Sequence, residues 1–254
     1  EAMLPALLRE IAAGPDPERA LNRLSDIVER LSSGINLYRL LEARPQLAHH
    51  LALILTYAPP LADMLARRPD LLDGLIDESS FALPPEPAVM ADRLRTAMVG
   101  EPYDRALDRA RRVIAERRFS LGVQLVAAHS DPLDLAMGYS DLAEGAVVAL
   151  AELAADEFAR THGRIEGGEL MVLALGRLGG RALTHASDLD LIYIYDAPPG
   201  ATSDDSKPLS ATDYFNRLAN RVTAAISVPT AAGPLYDVDT RLRPQGSEGM
   251  LAVS

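Results

Sequence analysis

The 254-residue chain contains no cysteine. That excludes a disulfide framework, a thiolate zinc site and a cysteine nucleophile. Lysine is nearly absent too: Lys207 is the only one, so positive charge is almost entirely arginine, a bias of composition. No apolar run approaches the roughly 20 residues that span a bilayer. The opening "EAMLPALLREIAAG" lacks the basic region and long apolar stretch of a signal peptide. The expectation is a cytoplasmic protein with no membrane partner. Basic residues are outnumbered, 25 Lys and Arg against 36 Asp and Glu, giving a net charge of -11. This disfavours a broad nucleic-acid surface, although a nucleotide needs only a local cationic or metal site.

What is present is enough apolar material for a core, 48% of residues, in a length that suits one large domain or two smaller ones. From residue 16 to about 162 the apolar residues recur at helical spacing. In "DPERALNRLSDIVERL" Leu21, Leu24, Ile27, Val28 and Leu31 follow one helix face, with Asp16 as N-cap and Pro17 at the first helical position. "QLAHHLALILTYA", "PLADMLARR" and "PAVMADRLRTAMV" read as further helices. Two longer ones begin at Tyr103 and Pro132. Breaks fall at Pro45, Pro59-Pro60, Pro69, Pro84-Pro85 and Pro132.

The texture changes after "GRIEGG". "ELMVLAL" (169–175) and "LDLIYIY" (189–195) read as buried strands, and "PLYDVDTRLR" (234–243) as a third. Between them Phe215, Leu218, Ala219, Val222, Ala225 and Ile226 share a helix face behind a cap at Ser210. The expected fold is α+β. A helical segment, 1–165, precedes an α/β domain, 166–254, with a small mixed sheet.

The chemistry concentrates at two carboxylates. Asp188 and Asp190 lie two apart at the mouth of a strand, so they project to one side and repel unless a cation meets them. Mg²⁺ suits such hard oxygen ligands and accepts phosphate as co-ligand. A third carboxylate on a neighbouring strand would complete the arrangement. Asp237 and Asp239 both qualify, and alternation does not choose between them. Upstream, Gly179-Gly180 would let phosphate approach backbone N–H groups, although the spacing is neither a P-loop nor the dinucleotide fingerprint. Arg241 and Arg243, one strand period apart, could meet a triphosphate. The histidines show no metal-ligand spacing, and only His185 lies near the motif.

"LGRLGGRALTHASDLDLIYIYD" followed by "LYDVDTRLRPQGSEGML" resembles the nucleotidyltransferase domain of glutamine synthetase adenylyltransferases, in the polymerase-beta-like superfamily. The resemblance is strong over 169–254 and looser over 35–165, chiefly in "NLYRLLEARPQLAHHLALIL" and "RRPDLLDGLID". It matches Gly179 and Gly180 to the family's glycine pair and Ser187, Asp188 and Asp190 to its serine-aspartate-x-aspartate. Asp239 matches the aspartate before the arginine-leucine-arginine-proline run, Arg241 to Pro244. Arg177 departs from the lysine the family commonly carries, which changes the geometry of any phosphate contact there.

The resemblance implies Mg²⁺ held by Asp188, Asp190 and Asp239, with ATP as substrate. Nucleotide contacts are implied at Gly179, Gly180, Ser187, Arg241 and Arg243. AMP would pass to a tyrosine of glutamine synthetase in nitrogen regulation, with Asp239 near the attacking oxygen, and the PII signal protein is a second implied partner. Such enzymes carry two of these domains, one adding AMP and one removing it by phosphorolysis. The helical segment and "GML" after "RLRPQGSE" resemble the adenylylating, C-terminal half. The alternatives are the AMP-removing half, or a regulatory module that binds nucleotide and glutamine synthetase or PII without turnover. The chain stops without the family's long helical continuation, so a fragment of a longer enzyme is expected.

Overall fold

The structure, a computed structural model, describes residues 3–31, 34–75, 81–243, 246 and 249–254, with the backbone alone at 3, 34–36, 74 and 75. Pro244, with Gln245, Ser247 and Glu248 after it, lies outside the described residues, as do Ile76 and Asp77. Among the described residues eight helices come first: α1 (Met3–Ala12), α2 (Pro17–Arg30), α3 (Gly34–Ala43), α4 (Pro45–Tyr57), α5 (Pro59–Arg67), α6 (Pro87–Met98), α7 (Tyr103–Val126) and α8 (Pro132–His162). A 3₁₀ turn, Pro69–Leu75, follows α5. Then come β1 (Glu169–Ala174), the short α9 (Gly176–Gly179), β2 (Leu189–Asp196), α10 (Ala211–Ser227), β3 (Val238–Asp239) and β4 (Ala252–Val253). Among the described residues no helix is long and apolar enough to cross a membrane.

The local signals act as elementary chemistry requires. Asp16 accepts the Arg19 N–H at 3.1 Å, and Pro17 opens α2 where a missing N–H costs nothing. Ser210 does the same for α10, accepting from the Asp213 N–H at 3.2 Å. Proline occupies the start of α4, α5, α6 and α8 as well.

The chain forms two compact units. The first comprises Glu1–Leu83 and Glu116–Leu135, the second Pro84–Ala115 and Ala136–Ser254. The division by compactness places 84–115 and 136–165 in the same unit as the sheet. In the first unit Leu7, Ile11, Ile27, Leu41, Leu51, Ile54, Leu65 and Phe119 build one apolar core.

In the second unit β2 is central. β1 runs antiparallel along one edge, pairing Ala174 with Leu191 through to Glu169 with Asp196. β3 and β4 run parallel to β2, at Leu189–Asp190 and Tyr193–Ile194 respectively. Since β1 occupies one edge through residues 193 and 194, β4 takes the other. α10 covers one face: the Thr223 hydroxyl donates to the Tyr193 hydroxyl at 2.9 Å, and the Tyr195 ring stacks on Phe215 with centroids 4.9 Å apart. Leu189, Leu191 and Tyr193 are buried on that face, and Asp190 and Ile192 alternate onto the other. On β1 Met171 and Leu173 share the Asp190 face and are exposed.

The third strand is shorter than its apolar pattern predicts. Of residues 234–243 only Val238 and Asp239 form a ladder. The Asp239 carboxylate accepts the Arg241 N–H at 2.8 Å, a turn that takes the backbone out of strand geometry at once. β4, two residues long, has no signal in the sequence.

Candidate functional site

Asp188 ends the loop before β2, Asp190 is the second residue of β2, and Asp239 is the last of β3. The parallel pairing makes Asp190 and Asp239 direct register partners, tied by the Leu189 N–H donating to the Asp237 carbonyl at 2.8 Å. Neighbours in register share a face, so these two carboxylates stand side by side. Asp188, two residues before Asp190, joins them. One carboxylate oxygen from each of the three lies within 4.8 Å of the others. Asp237, the alternative from alternation, is exposed and outside this group.

Oxygens around an octahedral Mg²⁺ sit about 3 to 4.2 Å apart, as ligand distances of about 2.1 Å require. The trio needs only a small contraction to fit. All its donors are hard oxygens on adjoining strands, the chemistry a divalent cation of this class prefers.

In this structure the cation against Asp239 is Arg241. Its Nε lies 3.0 and 2.9 Å from the two carboxylate oxygens, and its Nη2 lies 2.5 Å from Oδ2. These side-chain bonds, then the Arg241 backbone N–H, hold the Asp239 carboxyl at about 2, well below the usual range. Asp239 in turn raises the Arg241 guanidinium. Arg243 is differently engaged. It donates to the Thr240 carbonyl at 2.8 Å, the Thr240 hydroxyl at 2.9 Å and the Gly249 carbonyl at 3.3 Å, bracing the loop after β3.

Ser187 closes the turn that delivers Asp188. Its hydroxyl accepts the Thr184 N–H at 3.0 Å and pairs with the Thr184 hydroxyl at 2.8 Å. The loop is further pinned to α8. Arg181 pairs with Asp141 and Glu144, the Leu183 N–H donates to the Ser140 hydroxyl at 3.2 Å, and His185 meets the Tyr139 hydroxyl at 3.4 Å. Arg177 is exposed on α9.

The glycines have roles that spacing alone does not reveal. A Cβ at Gly179 would lie 2.5 Å from the Ala174 carbonyl oxygen, so this position is small because α9 folds tightly back on β1. Gly180 is looser, with its nearest atom 3.3 Å away. The residue that sequence reasoning missed is Gly176. It has φ +53, and a Cβ there would lie 1.9 Å from Oδ2 of Asp190. The available signal was a third glycine two residues after β1. Gly176→Ala is expected to lower stability by about 1–2 kcal/mol through its left-handed backbone. It should also rotate the Asp190 carboxylate away and weaken Mn²⁺ binding at least tenfold, read by calorimetry beside a melting curve. Unchanged metal binding would show that the carboxylate has room to spare.

Residues 48–254 match the family model for glutamate-ammonia ligase adenylyltransferase. A bifunctional glutamine synthetase adenylyltransferase/adenylyl-removing enzyme of Brucella suis is 40% identical over 253 residues, covering 98% of this chain and 26% of that protein. Proteins of the same name from Mesorhizobium japonicum and Rhizobium meliloti are 38% and 36% identical over 252 residues, again 98% of this chain and 26% of theirs. The chain thus spans about a quarter of the length of the curated relatives it matches. With 207 consecutive positions under the family model and the carboxylate strands inside that stretch, the chain belongs to the glutamate-ammonia ligase adenylyltransferase family.

Proposed function

We propose that this chain carries the adenylylating centre of its parent enzyme, transferring AMP from ATP to a tyrosine of glutamine synthetase, with the catalytic residues in 166–254. The observation that carries the reading is the convergence of Asp188, Asp190 and Asp239 from two parallel strands. The relatives' printed name covers both adding and removing AMP. "GML" after "RLRPQGSE" favours the adding half. PII is the proposed regulatory partner.

Asp188, Asp190 and Asp239 would hold Mg²⁺, which when bound supplies charge neutralisation to the triphosphate. The remaining work falls to the chain. Gly176 leaves Asp190 free to turn its carboxylate toward the site, and the Thr184–Ser187 turn aims Asp188. Gly179-Gly180, Ser187, Arg241 and Arg243 are the proposed nucleotide contacts. The tyrosine oxygen forms a bond to the α-phosphorus as the bond to the β-phosphate oxygen breaks and pyrophosphate leaves. Asp239 receives the tyrosine proton, for which its pair with Arg241 has to open, because a carboxylate held at about 2 is a poor base.

Calorimetry tests the reading. ATP should bind tighter with Mg²⁺ than with EDTA, and Asp239→Ala should shrink that difference. Equal affinity in both, unmoved by the substitution, would mean the aspartates are not a metal site. Incubation with ATP, Mg²⁺ and glutamine synthetase separates the alternatives: AMP incorporation, AMP release in phosphate, or neither.

A further inference from the structure

Three carboxylates with ligand atoms within 4.8 Å of one another bring three negative charges to one side of the sheet, and Arg241 compensates one of them. The manner of compensation matters. Arg241 does not brush one oxygen of Asp239: its Nε contacts both, and Nη2 adds a third bond. A carboxylate engaged in this way has its lone pairs directed at guanidinium N–H groups and unavailable to a metal in the same direction. The Arg241 side chain is 79% exposed and hangs on an otherwise shielded Asp239, 16% exposed. Because the guanidinium is solvent-exposed, water can replace its bonds to Asp239 when the pair opens.

Resting on the metal-site reading above, we propose that Arg241 is an exchangeable counter-ion. It occupies Asp239 while no metal is bound, and it leaves that carboxylate when a divalent cation arrives. Toward the metal Arg241 is then a positioning residue, and once released from Asp239 its guanidinium is free to make the nucleotide contact proposed above. While paired, it offsets one of the three clustered negative charges and sets a threshold that the metal must overcome. Its backbone N–H, donating to Asp239 Oδ1 at 2.8 Å, does not depend on the side chain and still fixes the carboxylate's orientation after the exchange.

The test is Mn²⁺ binding to the 254-residue chain without nucleotide, read by the electron paramagnetic resonance of free Mn²⁺, in the unaltered chain, Arg241→Ala, Arg241→Lys and Asp188→Asn. Removing a nearby unit positive charge, together with the competing pair, should tighten Mn²⁺ binding about three- to tenfold in Arg241→Ala. Arg241→Lys keeps the charge but loses the planar fork, so it should fall between the two. Arg241→Ala should also melt lower than the unaltered chain without metal and gain more from added Mn²⁺. Equal or weaker Mn²⁺ binding in Arg241→Ala overturns the exchange. So does Arg241→Lys matching the unaltered chain, since that pattern means a field effect without occupancy. If Mn²⁺ binding is absent or indifferent to Asp188→Asn in every chain, the metal-site reading itself falls, and the exchange with it.

Discussion

Asp188→Asn should reduce AMP transfer to glutamine synthetase by about a thousandfold or more, without loss of thermal stability in metal-free buffer. Metal-assisted charge stabilisation contributes several kcal/mol to such a transition state, and each ~1.4 kcal/mol is a factor of ten in rate. The fold has no comparable stake in the charge. Asp188 is exposed and belongs to a group whose members repel one another. Asparagine keeps the shape and removes one of three negative charges, so the melting temperature should hold or rise slightly. Asp190→Asn should behave alike. Radiolabelled AMP incorporation and a melting curve, run on the same preparations, decide the matter. If activity and metal-free stability fall together, the carboxylates are structural.

The second large effect lies away from the carboxylates. Arg111 of α7 is 1% exposed, and its Nη2 donates to the Ala225 carbonyl at 2.8 Å and the Val228 carbonyl at 2.7 Å. These are carbonyls of the last turn and cap of α10, which have no partner of their own within the helix. A cation at a helix C-terminus also meets the negative end of the macrodipole. Burial pushes the guanidinium below its ordinary value, so part of this gain is offset by desolvation. Arg111→Met retains most of the stem's packing but leaves the buried Ala225 carbonyl without its donor, a loss of about 1–3 kcal/mol. At about 2–4 °C per kcal/mol for a body of this size, the melting transition should fall by several degrees. Hydrogen exchange should accelerate first in the last turn of α10. A melting temperature that does not move would show that water replaces both bonds.

Arg111 also illustrates where reading along the chain stops. Its helix carries Ala106, Ala110 and Ile114 as buried residues at helical spacing, and that pattern identifies the helix without any structure. An arginine on the same face reads as an interruption. Only the arrival of α10, 114 residues later, turns it into a cap. Gly176 is a similar case. Its position after a strand suggests a turn, but the reason for a glycine is an Asp190 oxygen from the neighbouring strand. Arg241 was legible as a cation near phosphate chemistry. Its grip on Asp239 depends on the turn that ends β3, and the apolar pattern of 234–243 had predicted strand there.

What the sequence determined by itself is therefore what local chemistry encodes. Proline and caps at Asp16 and Ser210 set helix starts, alternation marked β1 and β2, and a spacing of two put Asp188 and Asp190 on one side. It also carried the motifs from which the family could be recognised. The tertiary structure decided the partner strand. Asp237 and Asp239 have equal standing under alternation, since both lie on one face of any strand through them. The family resemblance selects Asp239, and the parallel register supplies the physical reason by setting Asp239 beside Asp190. Register is a relation between distant segments, governed by the β2 edge that β1 leaves open and by the face α10 buries. No periodicity within one segment can express it.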